Sequence, residues 1–358
     1  MADKMKAMIF YEPNKMELEE VDIPSLGPDE VLIQVKATGI CGSDVAYYFG
    51  DSSLETESGK GPLVLGHELS GVVQEVGEIP ARQGLFAPGD RVTADPVQFC
   101  NACDTCCKGQ PNLCETKSVL GVSCDGGFAE YVKAKYTAVH KLPDNVTFKQ
   151  GAFAEPLACA TYGVKNLDVQ PGDFCVVFGP GPIGLVMLQL IKSRGAGKTA
   201  VVGTRDYRLD AAKQFGADFV FNPQDASSKY YVEDLKSAIA DLTGGLMADR
   251  AIVATGSEKP METALAITGR RSVIVLFGLP GDDTLLKVPV LESILWDKTI
   301  RFSWLAPLVW PTAIRSIAEG LVDLDPLFTH EYALEDLVDA LAKVKAREGN
   351  PLKAIVVL

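Results

Sequence analysis

Two kinds of hydrophobic patterning divide the chain. Up to about residue 150, the segments KAMIFYE (6–12), EVLIQVKATGI (30–40), GVVQEVGEI (71–79), DRVTAD (90–95) and FAEYVKAK (128–135) alternate or run apolar between Gly and Pro punctuation. A period of two puts every second side chain on one face, so each segment predicts a strand and the region an all-β domain with inserted loops. From about Asp168 the pattern changes. Apolar runs CVVFG (175–179), TAVVGT (199–204), FVF (219–221), RAIVATGS (250–257) and SVIVLFG (272–278) now alternate with stretches of helical period. Those are PIGLVMLQLIKSRGA (182–196), YRLDAAKQFGA (207–217) and PMETALAIT (260–268). Strands alternating with helices predict a parallel sheet and an α/β class. After TIRFSWL (299–305) come two predicted helices, 311–320 and 334–348, and a strand, KAIVVL (353–358). A length of 358 residues exceeds what one core usually serves, so two domains sharing a cleft are expected.

The second half opens on a phosphate loop. Gly179, Gly181 and Gly184 stand in VVFGPGPIGL, after a predicted strand and before a helix that starts at Pro182 and Ile183. The first glycine permits a tight turn, the second lets a pyrophosphate approach the backbone, and the third lets helix and strand pack, with the helix N-terminus facing the anion. A doubly wound Rossmann sheet binding a dinucleotide follows. About 20 residues on, where an acid would bond a free ribose 2′-hydroxyl, the chain has Gly203, Thr204 and Arg205, with Arg208 one turn later. Two guanidiniums favour the 2′-phosphate of NADP over NAD, and an acid at Gly203 is expected to reverse that preference. If the strand ends later, Asp206 is the ribose acid instead.

Charge and cysteine spacing narrow the partners. The formal net charge of −13 disfavours nucleic acid, whose binding rests on phosphate neutralisation. No apolar run reaches the roughly 18–20 residues that span a bilayer, and the start MADKMKAMIFYEP lacks a signal-peptide core. Nine cysteines, an odd and clustered count, fit a reducing compartment, so the expected location is the cytoplasm. Cys100, Cys103, Cys106 and Cys114 lie in CNACDTCCKGQPNLC at spacings of two, two and seven. Four soft thiolates in so short a polar stretch predict a closed structural zinc site, with Cys107 a bystander.

Cys41 in GICGSD, His67 and Glu68 in LGHELSG, and Glu155 in FAEPLACA form a second donor set without finger-like spacing. Each alone reads equally as a buried cysteine, a core histidine or a surface glutamate. Together with GGFAEYV, GPGPIG, WPTAI, LFTHEYALEDLVDAL and the cysteine lobe, however, they resemble, over essentially the whole chain, the zinc-dependent medium-chain alcohol dehydrogenases. Within that family the likeness is to the sorbitol and other polyol dehydrogenases.

The resemblance implies a GroES-like β-barrel catalytic domain over 1–154 and 305–358, carrying the zinc lobe at about 95–120, with a Rossmann domain at 155–304 inserted. It implies that Cys41, His67 and Glu68 ligate a catalytic zinc, with Glu155 a ligand or linked through water. Such a zinc holds the substrate hydroxyl as a Lewis acid so that hydride can pass to nicotinamide, and Ser43 takes the hydroxyl proton. It also implies a homodimer or homotetramer, for which SVIVLFG is a possible contact.

The chain departs from the family pattern in two places. Ala46 stands where many relatives carry a proton-relaying histidine, and Leu305 and Ala306 replace an Arg-Tyr pair near the polyol. With Trp304, Leu308, Trp310, Tyr47, Tyr48 and Phe49 nearby in the expected cleft, these changes imply a larger or more apolar alcohol than a six-carbon polyol. Packing at a domain or subunit boundary is the other reading of those aromatics. A catalytically silent dinucleotide-binding zinc protein would keep the fold and the lobe without needing Cys41, His67 and Glu68. A threonine-type or other medium-chain dehydrogenase would differ only in substrate.

Overall fold

The computed structural model describes residues 4–52 and 61–358. Residues 1–3, the start of the segment read for an export signal, lie outside the described residues. The chain divides into two compact units: Met1–Ala158 with Pro307–Glu319 and Leu324–Leu358, and Cys159–Ala306 with Gly320–Asp323. No helix among the described residues is long and apolar enough to cross a membrane.

The first unit is built on the strand Glu30–Gly39. Its residues Val31, Ile33 and Val35 are buried at alternate positions and pack against Leu69, Val73 and Val92, as a period of two requires. It pairs antiparallel with Glu68–Val76 along its length, and on its other edge with Tyr131–Lys135 near its start and Lys353–Val357 near its end. The resulting seven-stranded sheet continues through Arg91–Ala94 and Val139–Lys141 on one side and Phe328–Tyr332 on the other. A three-stranded sheet, Lys15–Asp22, Lys4–Glu12 and Leu63–Val64, accompanies it. The hairpin strand Lys15–Asp22 escaped the pattern analysis because KMELEEVD is mostly charged and exposed. Cross-strand pairing with Lys4–Glu12 forms it rather than burial of its own face.

The second unit is a six-stranded, all-parallel sheet. Its spatial order is Phe219–Phe221, Lys198–Val202, Phe174–Phe178, Ala248–Val253, Thr268–Leu276, Thr299–Phe302. In chain order that is 3-2-1-4-5-6, the doubly wound Rossmann arrangement, whose order reverses beside the first strand. The central strand Phe174–Phe178 is buried along its whole length, which is why it reads as a continuous apolar run rather than an alternation. The helix Leu235–Thr243 was missed from sequence. Its start is fixed by Asp234, whose carboxylate accepts from the backbone N–H groups of Lys236 and Ser237. The run SVIVLFG lies within Thr268–Leu276 and beyond, and that strand is hydrogen-bonded on both edges inside the chain. It therefore has no free edge to offer a second subunit, and the free edge of the sheet on that side is Thr299–Phe302.

Candidate active site and metal centres

The strand Glu30–Gly39 delivers Ile40 and Cys41 to the start of the helix Gly42–Phe49. Asp44 in its first turn accepts from the Cys41 backbone N–H at 2.8 Å and so fixes the helix entry. Its other oxygen lies 3.3 Å from His67 Nδ1. Asp44, 2% exposed, is thus both the turn cap and the group that orients the imidazole. The next strand of the sheet starts at Glu68, opposite Gly39, and brings His67 and Glu68 beside Cys41. The ligand atoms of Cys41, His67 and Glu68 all lie within 4.8 Å of one another.

Sterics support this cluster from below. A Cβ on Gly39 would come within 2.0 Å of Glu68 Oε2, so only glycine leaves room for that carboxylate. Burial disfavours the His67 imidazolium, but the Asp44 and Cys41 charges outweigh it and hold the His67 pKa well above its usual value. Ser43 Oγ lies 3.4 Å from His67 Nε2.

The donor chemistry fits a divalent ion. A thiolate, an imidazole and a carboxylate converge in a largely buried place. With Cys41 as thiolate, Asp44 and Glu68 bring the buried negative charges to three, of which the Lys353 ammonium paired with Glu68 offsets one and leaves two for a divalent ion. Glu155, buried in the first turn of the helix Ala154–Leu167, is not in that three-residue group. It lies close enough to Asp95 to act on its charge: burial first, then Glu155, against a hydrogen bond from the Val97 N–H, pushes Asp95 up to about 7. Sequence reading missed Asp95, because an Asp-Pro pair at a strand end signals only a turn.

The lobe is a different kind of cluster. The four sulfurs of Cys100, Cys103, Cys106 and Cys114 also lie within 4.8 Å of one another, and Cys100 and Cys106 are 4.0 Å apart. Four sulfurs about 2.3 Å from a zinc ion form a tetrahedron with edges of roughly 3.8 Å, so the spacing fits. Backbone N–H groups of Ala102 and Cys103 point at Cys100 Sγ and bring its pKa down to about 6. Burial first, and then its cysteine neighbours, raise that of Cys106. Cys107 is exposed and turns to the Ala102 carbonyl, outside the group.

In the second unit Gly179 turns the chain out of its strand with φ +91°, and the helix Pro182–Ser193 begins after Gly181 with no side chain capping it. A Cβ on Gly184 would meet the Gly179 carbonyl at 2.1 Å, the close packing the motif requires. A Cβ on Gly181 would lie 3.9 Å from Arg208 Nη1, which puts one predicted guanidinium beside the loop. Thr204 is exposed, and Arg205 precedes the helix Asp206–Gln214. Asp206 accepts from the Ser228 hydroxyl and, at 3.3 Å, from the Lys229 N–H. Gly203 is buried against Pro180, whose ring a new Cβ would meet at 2.6 Å. An acid there collides with the phosphate loop before it can reach a ribose, so Gly203→Asp is not the clean coenzyme switch that the sequence implies.

The aromatic residues expected at the cleft are differently placed. Tyr47 and Tyr48 belong to the core of the first unit with Met8, Phe10 and Phe128. Trp310 is buried and stacks on His140, ring centroids 5.2 Å apart and planes within 7°. Leu308 alone of this group is strongly exposed, at 69%.

The family model described as the alcohol dehydrogenase GroES-like domain matches residues 27–144, and that of the zinc-binding dehydrogenase matches residues 182–319. The sorbitol dehydrogenase of Bacillus subtilis (strain 168) is 31% identical over 358 residues, covering 98% of this chain and 97% of that protein. Among solved structures, a zinc-binding dehydrogenase of Sinorhizobium meliloti 1021 bound to NADP superposes with a TM-score of 0.90 at 26% identity, covering 99% of both chains. An Escherichia coli CFT073 alcohol dehydrogenase with NADH does so at 0.89 and 29%, covering 100% of both. Since neighbours of equal likeness carry either coenzyme, the fold does not decide between them. What fold, glycine loop, donor clusters and full-length likeness agree on is that this chain belongs to the zinc-dependent medium-chain alcohol and polyol dehydrogenases, enzymes that exchange hydride between an alcohol and a nicotinamide coenzyme.

Proposed function

We propose that the protein interconverts a secondary alcohol, of the polyol or a more apolar class, and its ketone at the Cys41, His67 and Glu68 centre. The convergence of those three ligand atoms within 4.8 Å carries this reading. A bound zinc ion supplies Lewis acidity that lowers the pKa of an alcohol and polarises a carbonyl. Cys41, His67 and Glu68 hold it, and Asp44 fixes the His67 ring. Glu155 acts nearby, directly or through water. Ser43 takes the hydroxyl proton and hands it on, its oxygen able to accept and donate at once. Ala46 cannot continue that relay, so the proton leaves through water. Cys100, Cys103, Cys106 and Cys114 hold a second, structural zinc.

Gly179, Gly181, Pro182, Ile183 and Gly184 cradle the coenzyme pyrophosphate. NADP is preferred over NAD, because Arg208 lies beside the loop, Arg205 follows the second strand and Asp206 is already engaged by Ser228 and Lys229. Arg205→Ala is expected to weaken NADP by about one to two decades and leave NAD nearly unchanged, measured by coenzyme titration. Equal loss for both coenzymes would overturn the assignment. The wider reading is tested by metal content, two zinc ions per chain against one for a silent scaffold, and by an alcohol and ketone panel run with both coenzymes.

The protein works in the cytoplasm as a homo-oligomer. Leu285, Val290, Leu291, Ile294, Leu295 and Phe302 are each at least 61% exposed around the free edge Thr299–Phe302. A strand edge can pair antiparallel with its own copy about a two-fold axis, burying those side chains. Sedimentation should give a dimer or tetramer, and Ile294→Asp with Leu295→Asp should shift it to monomer.

A further inference from the structure

The chain that follows the edge strand Phe219–Phe221 is tied into a closed strap. Asn222, 1% exposed, sets its first turn: the side-chain oxygen accepts from the backbone N–H groups of Gln224 and Asp225. The Asn222 N–H donates to the Tyr230 carbonyl at 2.8 Å, and the Asn222 carbonyl accepts from the Val232 N–H at 3.2 Å. Residues 222–232 thus return on themselves, and the residues before the closure reach the helix Asp206–Gln214.

The strap engages both acids of that helix. The Ser228 hydroxyl donates to Asp206 Oδ1, and the Lys229 N–H reaches Asp206 Oδ2 at 3.3 Å. The Tyr230 hydroxyl donates to Asp210 Oδ1 at 2.6 Å, and the Lys229 ammonium lies 2.7 Å from the same oxygen. Ser228 is itself fixed, because its Oγ accepts from the Tyr230 N–H at 3.1 Å. Arg208, between the two acids in sequence, is held by a different partner: its Nε donates to the Tyr207 hydroxyl at 2.9 Å, while Nη1 lies beside Gly181 of the phosphate loop.

Asp206 is the first acid after the second strand, Lys198–Val202. An acid at the end of that strand is what a Rossmann sheet uses to bond a free ribose 2′-hydroxyl, and the same carboxylate would repel a 2′-phosphate. Gly203, next to the strand, offers no side chain, so Asp206 is the residue whose direction matters. Two bonds from the strap hold its carboxylate on residues 228 and 229.

We propose that Ser228, with the strap that carries it, is a coenzyme-selectivity element: it ties back the Asp206 carboxylate and leaves the ribose end of the coenzyme site to Arg205 and Arg208. Selectivity then lies in a restrained anion as well as in the cations that meet a 2′-phosphate. Ser228 acts through Asp206 and is a positioning residue. This rests on the reading that NADP is the preferred coenzyme.

Titration of the protein with NADPH and NADH without substrate, followed by the change in nicotinamide fluorescence, tests it independently of turnover. Ser228→Ala should raise the Kd for NADPH about fivefold and leave that for NADH unchanged or lowered by up to about twofold, because the freed carboxylate meets a like charge only on the phosphate. Ser228→Thr keeps a hydroxyl and should restore both constants. In an Asp206→Asn background, Ser228→Ala should move the NADPH Kd less than about 1.5-fold, since no charge remains to restrain. An unchanged ratio of the two constants in Ser228→Ala would mean that the strap only braces the helix. A shift that persists in the Asp206→Asn background would mean that Ser228 acts through another group. Either overturns the proposal. Failure of the NADP reading looks different: the parent itself would bind NADH at least as tightly as NADPH, and the shift of the ratio in Ser228→Ala would still decide the role of the strap.

Discussion

The two candidate metal clusters are opposite solutions to one problem. The lobe takes all four ligands from fifteen consecutive residues, each cysteine only partly buried except Cys114, and relies on backbone N–H groups to lower a thiol pKa. The Cys41 centre takes its donor atoms from the ends of two neighbouring strands and surrounds them with Asp44 and Lys353, both nearly inaccessible. A local cluster needs the metal to hold itself together. A cluster assembled by a sheet already has its scaffold, so its surroundings can be used to tune charge and leave a position open for substrate.

That contrast should show most strongly in paired substitutions. Cys41→Ser is expected to lower kcat/KM by on the order of a thousandfold or more, with thermal midpoint and coenzyme binding close to the parent. Near-normal turnover would remove Cys41 from the centre. Cys103→Ser should do the reverse, lowering the thermal midpoint through loss of several kcal/mol, roughly, of metal-coupled folding while the Cys41 site still binds its ion. If both variants lost activity and stability alike, the division between the two clusters would fail.

A step smaller, Asp44→Asn keeps the shape but not the charge facing His67 and should cost about 10–100-fold in metal affinity at that centre alone, measured by competition with a chelator. The smallest effect concerns His140, which belongs to neither cluster. Burial beside Trp310 brings its pKa down to about 4. Between pH of about 6.5 and about 4 the unfolded chain binds a proton on this ring that the folded chain does not, so stability is present above that window and is lost as pH falls through it. His140→Phe preserves the stack and should reduce the fall in unfolding free energy between pH 7 and 4.5, read from urea curves, by up to about 2 kcal/mol relative to the parent. An unchanged slope would mean the ring is already solvated.

How much of this is legible in the sequence depends on whether a feature is local. The phosphate loop and the cysteine lobe carry their geometry in their spacing. The strands Phe174–Phe178 and Lys198–Val202 announce themselves as apolar runs because both faces are buried. Cys41, His67 and Glu68 could be gathered only through family resemblance, since their proximity is created by the pairing of Gly39 with Glu68. Lys353 gave no signal at all. A lysine opening an apolar strand reads as a solvated end, and only the sheet, by placing it against Ile40, Glu68 and Phe153, buries it. For the aromatics at 47–49 the sequence left cleft and packing open, because a residue type that suits a substrate pocket suits a core equally well, and Tyr47 and Tyr48 lie in the core with Phe49 packed against it.

The contact between Lys353 and the Ile40 carbonyl joins residues 313 positions apart. A ribosome adding about 5–20 residues per second therefore needs roughly 15–60 s between making the first and making the second. Throughout that interval the nascent chain carries Cys41 and His67, and the lobe thiols, without the cation that completes the centre. The parallel sheet of the second unit, with all of its strands between Phe174 and Phe302, is free to form meanwhile. The lobe, its fifteen residues made together, is complete early, whereas the strand that brings Lys353 against Glu68 is made last, so the buried charges of the Cys41 centre are fully paired only once synthesis ends.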